Sequence, residues 1–308
     1  MKISKCFISL LLLMMILLCI PSLLFAKTED KIEKTYKLDR DGKVYLENIS
    51  GDVVVNSWGK NEIKIIAKKV ARYEADLDSV TIDINQTDGN IRIITKYDRS
   101  FSLFRSTNAS VYYELFIPDK AHLRVENISG RVKVREIGGF LDIRTVSGEI
   151  EVVKAKNGVR CKTVSGDIHL EEIAGNTDLK TVSGKIRVEG IKGSVKADTV
   201  SGKIELEALS GAEETDVKSI SGSIMLHGEL SPGGIYELKS HSGNVEIGIP
   251  SNSNFELRVE TFSGDIQCDF ELKVSGKIDR KGLQGVVGKG GASLILSSFS
   301  GKIRIAKR

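Results

Sequence analysis

The sequence predicts an all-β chain: a parallel β-solenoid, β-helix-like, with coils of about 18 residues and a β-rich N-terminal cap. Three observations carry this. The dipeptide Ser-Gly recurs, with serines at Ser129, Ser147, Ser165, Ser183 and Ser201 spaced by 18 residues, then at Ser221, Ser242, Ser263 and Ser300. Around each dipeptide, apolar and polar residues alternate with period two, the mark of a strand with one buried face. Finally, the repeats superimpose residue on residue, as in the successive Thr-Val-Ser-Gly-x-Ile phrases from Thr145, Thr163, Thr181 and Thr199. Identical columns let like side chains stack on the next coil, which consecutive antiparallel hairpins do not require.

Residues 1–26 stand apart. Lys2 and Lys5 precede an apolar run from Phe7 to Ile20, then Pro21 and a short stretch ending at Ala26. This reads as a secretory signal peptide, with cleavage after Ala26 expected and retention as an uncleaved anchor the alternative. Leu18, before Cys19, occupies a place where lipoprotein signals want a small residue. Losing Lys2 and Lys5 lowers the formal net charge of +4 by two, and Cys161 and Cys268 become the only cysteines. The remaining charges are mixed rather than blocked, so nothing in them points to nucleic acid. Both cysteines fall in apolar columns of coils far apart in the stack, and they are expected as small core residues rather than a disulfide.

Residues 27–122 form the expected cap. Alternating runs at 62–67, 80–84, 91–95 and 111–117 read as strands joined by polar turns such as Asp88-Gly89-Asn90. Within this region 44–53 closely matches 123–132, so a first coil-like unit is interrupted by extra strands. A solenoid end is an open sheet edge, and a cap covers it.

Residues 123–308 form the solenoid proper. Four residues before each serine stand Ile143, Cys161, Leu179, Ala197, Val217, Leu238 and Val259, three after it Ile150, Ile168, Ile186, Ile204, Ile224, Val245, Ile266 and Ile303, and five after it a third apolar column from Val152 to Ile305. These are the inward ladders. Ser147-Gly148, Ser165-Gly166, Ser183-Gly184 and Ser201-Gly202 are the coil turns. A second glycine set at Gly139, Gly158, Gly175, Gly193 and Gly211 marks the opposite corner, and a positive φ is expected at such corners. Residues 281–291, rich in glycine, break the rhythm and are expected as a loop over the last coils.

No catalytic, cofactor-binding or metal site emerges. Clustered carboxylates on one face are what a β-helical polysaccharide lyase or hydrolase needs. The best such patch is Glu149, Glu151, Asp167 and His169, but its columns alternate in sign along the stack, which is how a solvated ionic face reads. His122, His169, His227 and His241 lack zinc spacing, and neither a P-loop nor a dinucleotide fingerprint is present. Asn48 and Asn127 head Asn-x-Ser sequons but belong to the repeat and are expected in turns. For partner contact the loop 98–105 stands out, with Phe101, Phe104 and Arg105 in an otherwise polar connection, the sole apolar surface candidate. The long flank of polar coils offers a second, glycan-sized surface.

The ordered set Leu46-Glu47-Asn48-Ile49-Ser50-Gly51-Asp52-Val53, Phe116-Ile117-Pro118, serial Thr-Val-Ser-Gly-x-Ile and closing Ser298-Phe299-Ser300-Gly301-Lys302-Ile303 resembles a bacterial domain-of-unknown-function family labelled "putative adhesin". The resemblance implies an exported β-solenoid and supplies no catalytic or binding residues. The function expected is a non-enzymatic binding or structural module of the cell envelope, periplasmic, surface-bound or extracellular, whose partner is a cell-surface glycan or an envelope protein. A carbohydrate-active enzyme on the same fold and a scaffold working through a protein partner are the alternatives.

Overall fold

A computed structural model describes residues 28–98, 109–274 and 282–308. Among these residues the chain is built from two long sheets of 13 and 14 strands facing one another, with a single short helix, Glu74–Asp78. Each coil gives one strand to each sheet. Leu141–Ser147, Val159–Ser165, Thr177–Ser183 and Val195–Ser201 pair in parallel and in register in the second sheet. Ile150–Ala155, Ile168–Ala174, Ile186–Lys192 and Ile204–Ser210 do the same in the first. The solenoid is therefore parallel, as the columns require, and the inward ladders form its core: Ile143, Cys161, Leu179, Ile150, Ile168 and Ile186 are all essentially inaccessible. Cys161 and Cys268 are free thiols, and burial pushes the Cys161 thiol far above its ordinary range.

The two glycine sets work differently. Gly158, Gly175, Gly193 and Gly211 have positive φ, between 61° and 130°, whereas Gly139 of the same set does not. The Ser-Gly glycines from Gly148 to Gly202 lie outside the left-handed region, contrary to expectation. Their requirement is space. A Cβ on Gly184 would stand 2.0 Å from the Gly166 carbonyl oxygen and one on Gly202 1.9 Å from that of Gly184, so the coils close up through a ladder of bare backbones.

A further left-handed column, at Glu136, Lys154, Glu172, Gly190 and Ala208, kinks the first-sheet strands. It lengthens one inward step from two residues to three, so that Val152 is followed by Ala155 and Leu170 by Ile173 in the core. Four of its five residues carry side chains, so glycine does not mark the column in the sequence.

Both ends depart from chain order. Lys43–Ser50 and Val53–Trp58 stack directly on His122–Ser129 and Val132–Arg135, joining the first coil-like unit to the solenoid. The intervening strands, with the leading strand Thr28–Lys37, cover this end: Asn90–Tyr97 and Ala109–Pro118 run parallel to that unit, and Val80–Thr87, Glu62–Ala71 and Thr28–Lys37 add antiparallel edges outside them. At the other end Ala292–Ser298 and Ile303–Lys307 insert between the coil of Ile235–Ser240 and that of Phe255–Thr261. Ile266 and Cys268 thus belong to the outermost coil and are only partly buried. Gly282–Val287, within the stretch expected as a loop, is a strand pairing antiparallel with Phe255–Thr261. The reason is that this outermost strand offers unpaired backbone groups that a neighbouring segment can satisfy.

Candidate binding groove

The residue before each turn serine points outward, because it alternates with the inward threonine before it. In a solvated face this column would be polar. Here it reads, in spatial order, Ile128, Val146, Val164, Val182, Val200, Ile220, His241, Phe299 and Phe262. The apolar members are between 43% and 57% exposed, so a continuous apolar row lies on the surface of the second sheet. From Val182 to Phe262 it forms one side of a groove of about 900 Å³.

The row ends in a stack of rings. His241 and Phe299 stand 4.9 Å apart at 16°, and Phe299 and Phe262 4.7 Å apart at 5°. The opposite side carries Lys180, Asp198, Lys218, Lys239 and Glu260. These charges are consumed locally: Lys180 pairs with Asp198 at 3.0 Å, Lys218 with Asp216 at 2.7 Å, Lys239 with Glu237, and Glu260 with Arg258 at 2.8 Å. Hydrogen bonding to Asp198 and to Asp216 holds the Lys180 and Lys218 ammoniums above their ordinary range. What the groove meets is largely the aliphatic stems of these lysines.

The floor is a column of nearly buried hydroxyls, some tied to the preceding coil, while those of Thr199, Ser219 and Thr261 have no hydrogen-bond partner among the described residues. Thr181 Oγ1 donates to the Gly166 carbonyl at 3.3 Å, Ser240 Oγ to that of Gly222 at 3.0 Å, and Ser298 Oγ to that of Gly243 at 2.9 Å. They hold the corner against the glycine ladder and position the apolar row above it.

The patch Glu149, Glu151, Asp167 and His169 is engaged elsewhere. Glu149 pairs with Arg131 at 2.8 Å and Glu151 with Lys133, Asp167 Oδ1 accepts from the Lys185 amide at 2.8 Å, and His169 Nε2 meets Glu171 at 2.8 Å. His122 Nδ1 accepts from the Phe140 amide and His227 Nδ1 meets Glu207. Among the described residues no group of three or more His, Cys, Asp and Glu side chains is arranged to hold a metal. Asn48 and Asn127, expected in turns, lie instead near the ends of the strands Lys43–Ser50 and His122–Ser129, buried, their amides donating to the carbonyls of Val111 at 3.0 Å and of Gly51 at 3.1 Å. Phe101, Phe104 and Arg105 lie outside the described residues. The loop that carries them is not the sole apolar surface candidate. The Val-Ile-Phe row is another, and its signal was present in the sequence as an aliphatic column at an outward position.

A family model for Toastrack DUF4097 matches residues 114–306, most of the chain and the whole groove. The chain belongs to this family. The Toastrack name suits the stack of parallel coils on which the groove runs. Several solved structures are similar to this Toastrack chain: a "putative adhesin" from Bacteroides fragilis (12% identity, 90% of this chain and 97% of that one, TM-score 0.44), one from Parabacteroides distasonis (10%, 90% and 97%, 0.41) and one from Parabacteroides merdae (12%, 90% and 97%, 0.40). No curated protein matches this Toastrack sequence.

Proposed function

We propose that this Toastrack protein is a non-enzymatic binding module, exported to the cell envelope, that engages its ligand along the outward Val-Ile-Phe row. The observation that carries the reading is that row itself. A contiguous apolar strip on a surface otherwise laced with ion pairs is the usual mark of an interaction site, whereas singly scattered apolar residues are not. The groove beside it supplies concavity and, in its hydroxyl floor and glycine ladder, rigidity. Support for a non-enzymatic role comes from the acid-base candidates, each held in a structural pair with its neighbours. Support for export comes from the basic and apolar character of residues 1–26.

A pull-down from solubilised envelope and cell-wall fractions, using the chain from Lys27, tests this. Retained ligand and any cleavage products are read by mass. Specific retention without cleavage, lost in the double variant Val200→Thr, Ile220→Thr, is the expected result. Retention unchanged by these substitutions would remove the row from the binding surface. Cleavage products would make the protein a carbohydrate-active enzyme.

A further inference from the structure

The chemistry of the groove narrows its occupant, given that the row is the binding surface as proposed above. Sugars bind aromatic rings through the ring face. The faces of His241, Phe299 and Phe262 are turned onto one another along the stack, leaving mainly ring edges toward the groove. An extended peptide presents side chains to one face every ~6.8 Å and a helix every ~5.4 Å, and neither keeps step with rungs ~4.8 Å apart. A second copy is also a poor fit. A strip one side chain wide and about 24 Å long offers a few hundred Å², well below the ~800 Å² per partner of a standard interface.

A hydrocarbon chain has no repeat to match. The six rungs from Val182 to Phe262 run for about 24 Å at strand spacing, longer than the ~15 Å that one acyl chain spans in half a bilayer. Both sides suit it, with aliphatic and aromatic side chains on one and lysine stems with paired ammoniums on the other. The two ends differ in charge. Lys162 is the register partner of Lys180, one rung before the groove, and forms no ion pair among the described residues. At the far end stands the carboxylate of Glu260, already paired with Arg258.

We infer that the groove binds one extended acyl chain of an anionic, singly acylated amphiphile, with the head at Lys162 and the tail lying along Val182, Val200 and Ile220 toward Phe299 and Phe262. The shared chemistry is a single long chain and one anionic head, whether carboxylate or phosphate.

Calorimetric titration of the chain from Lys27 with palmitate and with hexadecyl phosphate, each below its micelle concentration, tests this. Saturable one-to-one binding of either probe is expected. Octanoate, with a shorter tail, should bind at least about tenfold more weakly, and Ile220→Asn should weaken the long-chain probe by about tenfold. Lys162→Glu should weaken the anionic probe several-fold and shift preference toward hexadecyltrimethylammonium. Palmitate binding alone would identify the head as a carboxylate, and hexadecyl phosphate alone as a phosphate. Thermal melts confirm that each variant is folded, and Val200→Thr, which keeps β-branching, stands in for Ile220→Asn if that chain unfolds. Absence of saturable binding by both anionic probes overturns the inference, as does binding indifferent to Ile220 and Lys162. If neither probe binds but the envelope pull-down still depends on Val200 and Ile220, only the acyl ligand falls. If that pull-down is also indifferent to the row, the proposed binding surface falls with it.

Discussion

Phe299 stacks on Phe262 with ring centroids 4.7 Å apart and planes 5° from parallel, although in chain order a coil corner, a short antiparallel pair and a return strand lie between them. The last coil inserts inward of the coil that precedes it. Phe299 therefore sits between His241 and Phe262 rather than beyond both. Its ring contributes to the cohesion of the C-terminal end and closes the apolar groove. A double-mutant cycle on Phe262→Ala and Phe299→Ala, read in denaturant melts, should give a coupling of about 0.5–1.5 kcal/mol. A coupling near zero would mean that the two rings do not stack.

The glycine ladder makes a sharper demand. Gly202→Ala would press a Cβ to 1.9 Å from the Gly184 carbonyl oxygen, and the coils would have to part. Loss of about 3 kcal/mol or more, or failure to fold, is expected, as overpacking against backbone is not relieved by a rotamer change. Gly59→Ala is the control: nothing lies within 4 Å of its Cβ, and the change should stay within about 0.5 kcal/mol.

The left-handed column predicts the opposite sign. Ala208 holds φ 54° at the site where the neighbouring coil has Gly190 at φ 73°. Ala208→Gly should raise stability by up to about 1 kcal/mol, and Gly190→Ala should lower it by about as much, because an L side chain is strained there. Chemical denaturation of the two variants side by side reads both signs.

Ile186 lies fully buried in an inward ladder, between Ile168 and Ile204. Ile186→Asp would leave a carboxylate without a partner in that ladder and should abolish the cooperative thermal transition. Lys185, one residue earlier, faces outward and pairs with Glu205. Lys185→Ala should change stability by no more than about 0.5 kcal/mol, because the half-buried Glu205 keeps Lys203 and Arg187 as partners. Comparable losses in the two variants would mean that the facing of the strand is reversed.

Acid should weaken the ionic face. Burial alone would raise the carboxyl of Glu205, but hydrogen bonds from Lys185 and Lys203 outweigh it and hold it below the ordinary 4.5. Glu126 is lowered as well, hydrogen bonds from Arg124 and Tyr45 prevailing over burial. A carboxyl lower in the folded state than in the unfolded one stabilises above the unfolded value, and that contribution is lost as pH falls through the folded value. The melting temperature should therefore decline below about pH 4.5, and Glu205→Gln should make the decline shallower. A melting temperature flat down to pH 3 would contradict the pairing.

How much was legible follows from how local each signal is. The alternation around Ile150 and Ile168 states which side chains face inward. The identity of the columns then states that coils stack in parallel and in register, since only that arrangement brings like residues to like neighbours. The outward Val column is present in the sequence as well, but a single exposed valine is ordinary and only its repetition on neighbouring rungs makes a strip.

By itself, the sequence determined the parallel coil and the two faces of each strand, for these are set by near-neighbour pattern. Tertiary structure alone decided the order of the terminal coils, the strand at Gly282–Val287 and the meeting of His241, Phe299 and Phe262. The physical reason is degeneracy. Every coil presents the same inward ladder and the same backbone edge, so several segments satisfy one edge by local rules, and which of them docks there is chosen by the packing and edge pairing of the whole stack.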